Sequence, residues 1–562
     1  MKTLLKNAFV VNVFTDEIKK QNVLIEDEKI IGIGAYEDSD ADEVKDLSDK
    51  YICPGFIDGH IHIESTMLLP EELAIACVPH GTAAIVADPH EIANVCGIDG
   101  IRFMLQASKG LAMDVFFTAS SCVPATGFDE SGAVLHAEEL KDLYRNPRIL
   151  GLAEMMNYPG VLFKDPDVLA KIDDALSAGK VVDGHAPLLK GKDLDAYIAA
   201  GVQSDHECSN LEEAIEKLER GQYIMIREGT AARNLEALFG LFDPKYNHRC
   251  LLVTDDCHPA DLISRGHIDY IVRRAVELGA DPAVAIRMAS LQAAQYFGLR
   301  GYGAVAPGYF ANLAIVEDLK SFKIADVYFR GKSVLENGRL KKPVRPEITK
   351  DLQLVVRESF LVRPLTEEAF RMKEENGTCR VIGVVPGSII TEDLREEIDF
   401  SKNSGIDVER DILKLAVIER HHDTGHIGLG FIKGIGMKEG AIASSVSHDS
   451  HNIIVIGTND ADMAEAANRI IRMGGGNVIV KDGEEIERMV LPIAGLMSDF
   501  SATETAEFNA RVREAVHELG VNEGVEPFMN MAFVSLPVIP ALKMSTMGLV
   551  DVIQFKRVSL KV

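Results

Sequence analysis

The middle of the chain repeats one pattern eight times. Between about residues 52 and 300, short apolar runs are each followed by a polar cluster and then by a stretch with helical periodicity. Apolar strands that alternate with helices indicate an α/β protein whose parallel sheet is buried on both faces. Eight such units in about 250 residues are typical of a (β/α)8 TIM barrel. The apolar runs end at His60/His62, 88–91, 120–121, Glu154, 183–185, 205–207, 227–228 and 255–256.

The same pattern also predicts where the helices lie. A doubly wound open sheet is the alternative arrangement of these strands, but eight repeats with polar strand ends favour closure into a barrel. The expected helices cover about 70–80, 97–110, 136–144, 166–179, 191–200, 209–220 and 231–239.

Two β-rich segments flank this middle part and suggest a discontinuous domain. The two segments are residues 1–51 and 301–342. Within them, residues 3–34 alternate apolar and polar positions between turn-like clusters and residues 303–338 show a similar pattern, which is typical of short antiparallel strands. We therefore expect one small β-sandwich domain built from both segments around a metal-binding barrel of residues 52–300. The Pro-containing stretch 341–346 reads as a linker, and residues 347–562 are expected to form a C-terminal α/β (α+β) domain.

Charge and composition limit the partners. The 562 residues carry 86 acidic and 59 basic side chains, a formal net charge of −27, which would repel a nucleic-acid phosphate backbone. No uninterrupted apolar stretch is long enough to span a bilayer, so no membrane association is expected. The eight cysteines include no C-x-x-C pair, which argues for a reducing compartment and a cytoplasmic protein. A homo-oligomer, dimer or tetramer, is also expected.

Histidines and carboxylates at the strand ends predict a metal site. His60 and His62 are two residues apart on one expected strand, so both imidazoles point to the same side. A barrel gathers the ends of its other strands around the same axis. Six ligands exceed what one ion needs, so two divalent cations bridged by a carboxylate are expected. The predicted ligands are His60, His62, Glu154, His185, His206 and Asp255.

These ligand types also predict the chemistry. Mixed imidazole and carboxylate ligands suit manganese, iron or zinc, which make water nucleophilic at neutral pH. Asp255 is the expected proton relay, and Glu207 or Glu91 would protonate the substrate, although either acid could instead be an ordinary surface carboxylate. His90 is expected to contact the substrate or the ligands, with direct metal ligation as the alternative. His185 and His206 could alternatively serve only as hydrogen-bonding residues.

Two other families of zinc hydrolases do not fit these residues. The chain has no Pro-Cys-x-x-Cys signature of the small zinc deaminases. His90-Glu91 is followed by Asn94 where a zincin would have its second histidine.

Particular stretches resemble a known family. Residues 54–62, together with Thr254-Asp255-Asp256 and residues 307–316, resemble the amidohydrolase superfamily, and Glu154 stands where many of its members carry a carboxylated lysine. The resemblance is more specific to the bacterial adenine deaminases, and it extends to the extra C-terminal region. It is carried by residues 60–67, 87–95, 153–161, 183–187, 204–207 and 227–229.

The resemblance implies hydrolysis of adenine to hypoxanthine and ammonia, a purine-salvage reaction, with manganese as the usual cation and iron or zinc as substitutes. By the same resemblance, Asp256 and Arg227 are candidates to hold the purine. Two other functions stay open from the residues alone. One is hydrolysis of an amide or a cyclic amide, and the other is a barrel that serves as a scaffold without catalysis.

The C-terminal histidines have no role in this scheme. They could belong to plain polar loops, to a lid over the barrel mouth, or to an additional metal site. They are His421, His422, His426, His448 and His451.

Overall fold

The first 54 residues form most of one sheet in the computed structural model, which describes residues 1–230 and 232–562. β1 runs antiparallel to β2 and parallel to β4 and β5, while β2 pairs with β3. Buried Val10, Val23 and Ile52 pack in the core of this sheet. The strands are β1 (Lys2–Asn12), β2 (Glu17–Glu26), β3 (Lys29–Gly34), β4 (Glu43–Asp46) and β5 (Tyr51–Pro54).

Eight parallel strands follow in chain order. The first five form one sheet and the last three a second, and each strand pairs with the next in sequence within its sheet. They are β6 (Phe56–Ile61), β7 (Thr82–Ala87), β8 (Asp114–Ala119), β9 (Ile149–Met155), β10 (Val181–Gly184), β11 (Ser204–Asp205), β12 (Tyr223–Arg227) and β13 (Cys250–Val253).

The two sheets meet at both of their ends. Between β10 and β11, the Gln203 amide donates to the Val182 carbonyl at 2.9 Å. Between β13 and β6, a parallel bridge joins Ile61 to Asp255, and the Asp255 amide donates to the His60 carbonyl at 3.0 Å. The predicted TIM-barrel-like arrangement is therefore confirmed, with all polar strand ends at one rim.

Helices connect these strands and mostly follow the predicted positions. One differs at its start: α2 begins at His90, seven residues before the predicted start, and Gly97 interrupts its helical backbone with φ 59°. The helices of this part are α1 (Pro70–Cys77), α2 (His90–Ala107), α3 (Ala137–Lys141), α4 (Tyr158–Leu162), α5 (Pro166–Ser177), α6 (Gly191–Ala199), α7 (Leu211–Glu219), α8 (Pro259–Arg265), α9 (Ile268–Glu277), α10 (Pro282–Met288) and α11 (Leu291–Tyr296).

The helix predicted over 231–239 is wrong. Residue 231 lies outside the described residues, Arg233 forms an isolated bridge with Glu228, and residues 235–238 form a turn before a short 3-10 helix at Phe239–Phe242. Asn234 explains the difference, because its side chain accepts from the Arg227 amide at 2.8 Å and donates to the Cys208 carbonyl at 3.0 Å. Asparagine side chains that bond to backbone groups in this way compete with helical hydrogen bonds.

After the barrel, the chain returns to the N-terminal sheet. β14 runs antiparallel to β5, and β15 and β16 continue the sheet outward. The sandwich form and the domain boundaries given above stay predictions. The strands of this part are β14 (Leu313–Val316), β15 (Ile324–Phe329), β16 (Lys332–Ser333), β17 (Leu335–Glu336) and β18 (Arg339–Leu340).

The C-terminal region contains a second eight-stranded sheet, which is antiparallel except where β19 and β22 run parallel. A three-stranded sheet, β27 to β29, follows it. The strands are β19 (Gly377–Val384), β20 (Thr391–Ile398), β21 (Ile412–Ile418), β22 (Ile427–Lys433), β23 (Ala441–Ser444), β24 (Ile453–Gly457), β25 (Gly476–Lys481), β26 (Glu484–Val490), β27 (Leu542–Ser545), β28 (Gly548–Asp551) and β29 (Lys556–Arg557).

Both faces of this larger sheet are covered. Alternate residues of β21 point to opposite faces, so Ala416 packs in the cluster that contains Met463 of α13, and Leu415 packs in the cluster that contains Val512 and Met531. The helices here are α12 (Lys350–Arg357), α13 (Asp460–Met473), α14 (Ala502–Ala515) and α15 (Pro527–Val534).

The C-terminal region packs on the barrel. α14 contacts α1 and α8, and the Ala502 amide donates to the Glu72 carboxylate at 3.0 Å. The loop before β24 and residues 527–539, which include α15, lie over the polar rim of the barrel strands. Among the helices in the described residues, none combines the length and apolar character needed to cross a bilayer.

Candidate metal centre

β6 presents the first two predicted ligands. His60 lies inside the strand and His62 directly after it, with their ring centroids 4.9 Å apart and both side chains buried. Gly59, directly before His60, is needed for packing, because a β-carbon there would lie 2.4 Å from Leu251 on the neighbouring β13. The strand therefore fixes both imidazoles against the barrel wall.

Glu154, in β9, lies between the imidazoles of the four predicted histidine ligands. Its Oε1 is 3.3 Å from His62 Nε2 and 3.8 Å from His60 Nε2. Its Oε2 is 2.5 Å from His185 Nδ1 and 3.2 Å from His206 Nε2. One carboxylate thus faces ligands from both halves of the barrel, which is the arrangement a bridging ligand requires.

Asp255 follows β13 and closes the group on the other side. Its Oδ1 is 3.1 Å from His62 Nε2, and its Oδ2 is 2.6 Å from Arg227 Nη1. Its backbone is left-handed, with φ 62°, a conformation that costs a non-glycine residue about 1 kcal/mol or more. The hydrogen bond from its amide to His60 holds this conformation.

The donor atoms fit divalent cations. His60, His62 and Asp255 form one group whose donors lie within 4.8 Å of each other, and His60, Glu154 and His206 form a second. Among the described residues, the buried His60 Nε2 has no hydrogen-bond partner, so its lone pair is available to a cation. Nitrogen and oxygen donors of this kind suit manganese, iron and zinc.

Imidazoles and carboxylates stabilise each other's charged forms in this group. Burial lowers the pKa of His206, but Glu154, together with Asp255 and Glu207, more than offsets it and raises that pKa to about 9. Burial likewise raises the pKa of Glu154, but His206 and His185 hold it well below its usual range. Because a metal ligand must be deprotonated, bound cations would replace the protons of these imidazoles.

Arg227 and Glu207 lie beside the predicted ligands and contact them. The Arg227 guanidinium bonds Glu207 Oε1 at 2.5 Å as well as Asp255, and Glu207 Oε1 is 3.5 Å from His206 Nε2. Burial raises the pKa of Glu207, but Arg227 holds it below its ordinary value. The predicted purine-binding arginine is thus engaged by two carboxylates at the edge of the pocket.

His90 lies at the start of α2, beside the predicted ligands. Its Nδ1 is 3.1 Å from Asp88 Oδ2 and 3.6 Å from Glu154 Oε1. Asp88 is buried and was not selected from the sequence, although it stands in the same Asp-Pro-His-Glu stretch. His62, Asp88, His90 and Glu154 also form a group with donors close enough for a cation.

Two C-terminal histidines reach this rim. His448 Nδ1 is 2.6 Å from Glu91 Oε1, and His451 Nε2 contacts Glu91 Oε2. Asp449, which sequence reasoning missed, places Oδ1 3.8 Å from His90 Nε2. The Ser-His-Asp-Ser-His stretch was the available signal, but nothing in the sequence placed it opposite Glu91.

The other three C-terminal histidines lie elsewhere. His421 bonds the Ser450 carbonyl at 2.7 Å. His422 bonds the Ser131 carbonyl at 2.9 Å, and His426 bonds Glu130 at 2.9 Å. These three stabilise loops and the contact with the barrel.

A pocket opens beside the cluster. Its polar side includes Asp256, whose Oδ1 accepts from the Ser65 hydroxyl at 2.5 Å. The other polar lining residues are His62, His90, Glu91, Glu154, His185, His206, Glu207, Arg227, Asp255, His448 and Asp449. Its other side is apolar and comes mostly from the C-terminal region. The apolar lining consists of Met156, Ile389, Phe533, Leu536 and Ile539.

Comparison with known proteins gives two family matches. Residues 51–334 match the model of the amidohydrolase family, and residues 388–556 match that of the adenine deaminase C-terminal domain. Similar proteins include the adenine deaminase of Clostridium acetobutylicum, which is 46% identical over 98% of this chain and 96% of its own length. Adenine deaminase 2 of Carboxydothermus hydrogenoformans is 47% identical over 98% of this chain and 95% of its own.

Proposed function

The chain belongs to the adenine deaminase family of the amidohydrolases, and we propose that it hydrolyses adenine to hypoxanthine and ammonia. The observation that carries the proposal is the convergence of four imidazoles on Glu154, at the rim of a barrel whose chain is 46% identical to an adenine deaminase over nearly its full length. In this reaction a water oxygen bonds to C6 of the purine and the bond from C6 to the amino nitrogen breaks.

We propose that His60, His62, Glu154, His185, His206 and Asp255 hold two divalent cations, with manganese preferred and iron or zinc as substitutes. The fit of their nitrogen and oxygen donors and the unpartnered His60 Nε2 support this assignment. Such cations lower the pKa of a bound water towards about 7 and so supply a nucleophile at neutral pH.

Asp255 is the proposed acceptor of the water proton. Its Oδ1 faces the two histidines of β6, while its Oδ2 is held by Arg227 at 2.6 Å. The guanidinium therefore orients Oδ2, while Oδ1 is directed at His60 and His62, where the cations would bind. A fixed carboxylate within hydrogen-bond reach is what general base catalysis needs.

Glu91 is the proposed source of the proton for the substrate. Its carboxylate lines the pocket and contacts His448 and His451. Arg227 at 2.5 Å favours the ionised form of Glu207. Burial raises the pKa of Glu91, but the imidazoles around it, His448 first, hold it well below its usual range. Either acid would therefore have to take up a proton before it could donate one. An ionised Glu207 and Asp256 would instead accept hydrogen bonds from the purine, with Arg227 and His90 beside it.

We also propose the partner, the location and the assembly of the protein. Free adenine is the proposed partner, and no nucleic acid is expected because of the net charge of −27. The proposed location is the cytoplasm, since all eight cysteines are free in the part of the chain that the structure describes. The proposed assembly is a dimer or tetramer, which light scattering on the purified protein would check.

The test is turnover of adenine by protein reconstituted with manganese, iron or zinc after chelation. We expect the ultraviolet spectrum of adenine to convert to that of hypoxanthine, with one ammonia released per adenine. Turnover of hydantoins or N-acetylated substrates without turnover of adenine would favour the amide hydrolase instead. Absence of bound metal and of all turnover would favour the scaffold.

A further inference from the structure

Glu91 is held from outside the barrel. It lies in the first turn of α2, and its two carboxylate oxygens contact two different imidazoles, both from the loop before β24. Glu91 and His448 are buried, and 357 positions separate them in the chain. The orientation of this carboxylate therefore depends on the C-terminal region.

His448 is itself fixed at three points. Its amide donates to the Ala532 carbonyl at 2.7 Å, and its carbonyl accepts from the Ser535 hydroxyl at 3.2 Å. Its ring stacks on Phe533, with centroids 4.6 Å apart and planes inclined by 18°. The two backbone bonds fix the position of the residue, and the stacking fixes the plane of its ring, whose Nδ1 faces Glu91.

Phe533 is anchored in turn by a buried lysine. Lys543 Nζ donates to the carbonyls of Phe533 and Ile389, each at 3.0 Å. Phe533 and Ile389 both line the apolar side of the pocket. The support of His448 thus extends from the pocket wall into β27.

The contacts of His451 define which of its nitrogens carries hydrogen. Its Nδ1 accepts from the Ser447 amide at 3.2 Å, so Nε2 carries the hydrogen that points to Glu91. The His451 amide also donates to the Ser447 carbonyl at 2.7 Å. The loop is therefore built to present a donor at this position.

We propose that His448 and His451 are positioning residues that aim the Glu91 carboxylate at the substrate, so that the C-terminal region completes the active site. This inference rests on the proposed function and on the role of Glu91 in it. Neither histidine needs to touch the substrate to exert this effect.

The two histidines donate from different ring nitrogens, which allows a crossed rescue experiment. Asparagine places its amide nitrogen near the position of histidine Nδ1, and glutamine near that of Nε2. We expect H448N to retain kcat within about 5-fold and H448Q to lose about 10-fold or more, the loss that accompanies a hydrogen bond to a charged group. At position 451 we expect the reverse, with H451Q more active than H451N.

A double-mutant cycle tests whether His448 acts through Glu91. E91Q should reduce kcat by about 10²- to 10⁴-fold, the usual contribution of a general acid or base. In the E91Q background, H448A should add less than about 3-fold, because the group that it positions is already neutral. Changes in KM should stay small in both backgrounds, since the proposed role concerns proton transfer.

H426A is the matched control, because His426 lies in the same region, is exposed and bonds Glu130. We expect wild-type kcat from it. Equal activity of the asparagine and glutamine variants at each position, or additive losses in the cycle, would overturn the proposal. These amide variants carry the test even if an alanine variant fails to fold.

The metal content separates the proposal from two other outcomes. We expect two metal equivalents in wild type, H448A and H451A, whereas a third equivalent that is lost in H448A would mean that Glu91 and His448 bind a cation. A wild-type protein that binds metal without deaminating adenine would defeat the proposed function. If the wild type deaminates adenine but the variants do not behave as expected, the inference alone is wrong.

Discussion

Glu154 has the largest expected effect of any single residue. Replacing it by glutamine removes the charge that faces four imidazoles, so we expect E154Q to lose most of its bound metal. Changes to residues that only support a ligand cost about 10- to 100-fold, so loss of a shared ligand should reduce kcat/KM by more than about 100-fold. Metal analysis and adenine turnover measure the two effects.

E138Q is the control for this prediction, because Glu138 is an exposed carboxylate on α3 of the same barrel. It should keep both metal and activity. An E154Q protein with two metal equivalents and normal turnover would remove Glu154 from the site.

Residues near each other on one strand were predictable, whereas partners across regions were not. His60 and His62 lie two positions apart, so strand geometry alone put them together. Asp449 and His448 reach the rim only because the C-terminal region packs there, and their contacts to His90 and Glu91 join residues more than 350 positions apart. No periodicity in a single chain carries that information.

At the scale of elements, the buried side chain of Lys217 joins α7 to β11. Lys217 Nζ is 2.9 Å from Asp205 Oδ2 and 2.8 Å from Glu213 Oε1, and it donates to the Ala186 carbonyl. Breaking a buried ion pair leaves an uncompensated charge, so K217M should lower the free energy of unfolding by about 3–5 kcal/mol. Urea unfolding followed by circular dichroism measures it.

The double variant K217M/D205N should recover part of that loss, because the stranded charge is gone. K217M should also weaken metal binding, since Asp205 directly precedes His206. A K217M protein within about 1 kcal/mol of wild type would mean that the network contributes little.

Elements with strong periodicity were predictable, and those decided by side-chain competition were not. The helix at α13 and the strands of the barrel follow from hydrophobic spacing. The helix expected over 231–239 does not form, because Asn234 bonds neighbouring backbone groups. Propensity reasoning cannot see that competition, since the partners lie on β12 and after β11.

For the whole molecule, the contact between barrel and C-terminal region should depend on pH. Asp129 in the barrel is buried against Asn452 and Thr546, and burial raises its pKa to about 6. A raised pKa means that the folded protein favours the protonated acid. The resulting stabilisation of the folded protein is present at low pH and is lost as the pH rises through about 6.

D129N removes this dependence, because an amide is neutral at every pH. Relative to wild type, its melting temperature should rise between about pH 4 and pH 6.5 and then level off, with a total free-energy difference of at most about 3 kcal/mol. E138Q again serves as the control and should show no such trend. A constant difference across this range would mean that Asp129 does not titrate there.

Cations should also stabilise the whole molecule. Ligand that binds only the folded protein adds about 2.7 kcal/mol at 100 times its Kd. We expect manganese to raise the melting temperature of wild type in a concentration-dependent way and to leave that of E154Q nearly unchanged. An equal rise in both proteins would point to binding outside the Glu154 cluster.

The pairing of β5 with β14 bears on how the protein is made. Residue 54 pairs with residue 313, so about 260 residues must leave the ribosome before that partner is available. At translation rates of about 5–20 residues per second, the wait is on the order of 10 to 50 s. During that time β5 exposes an unpaired edge of the kind that recruits other strands, and the nascent chain is most vulnerable to aggregation.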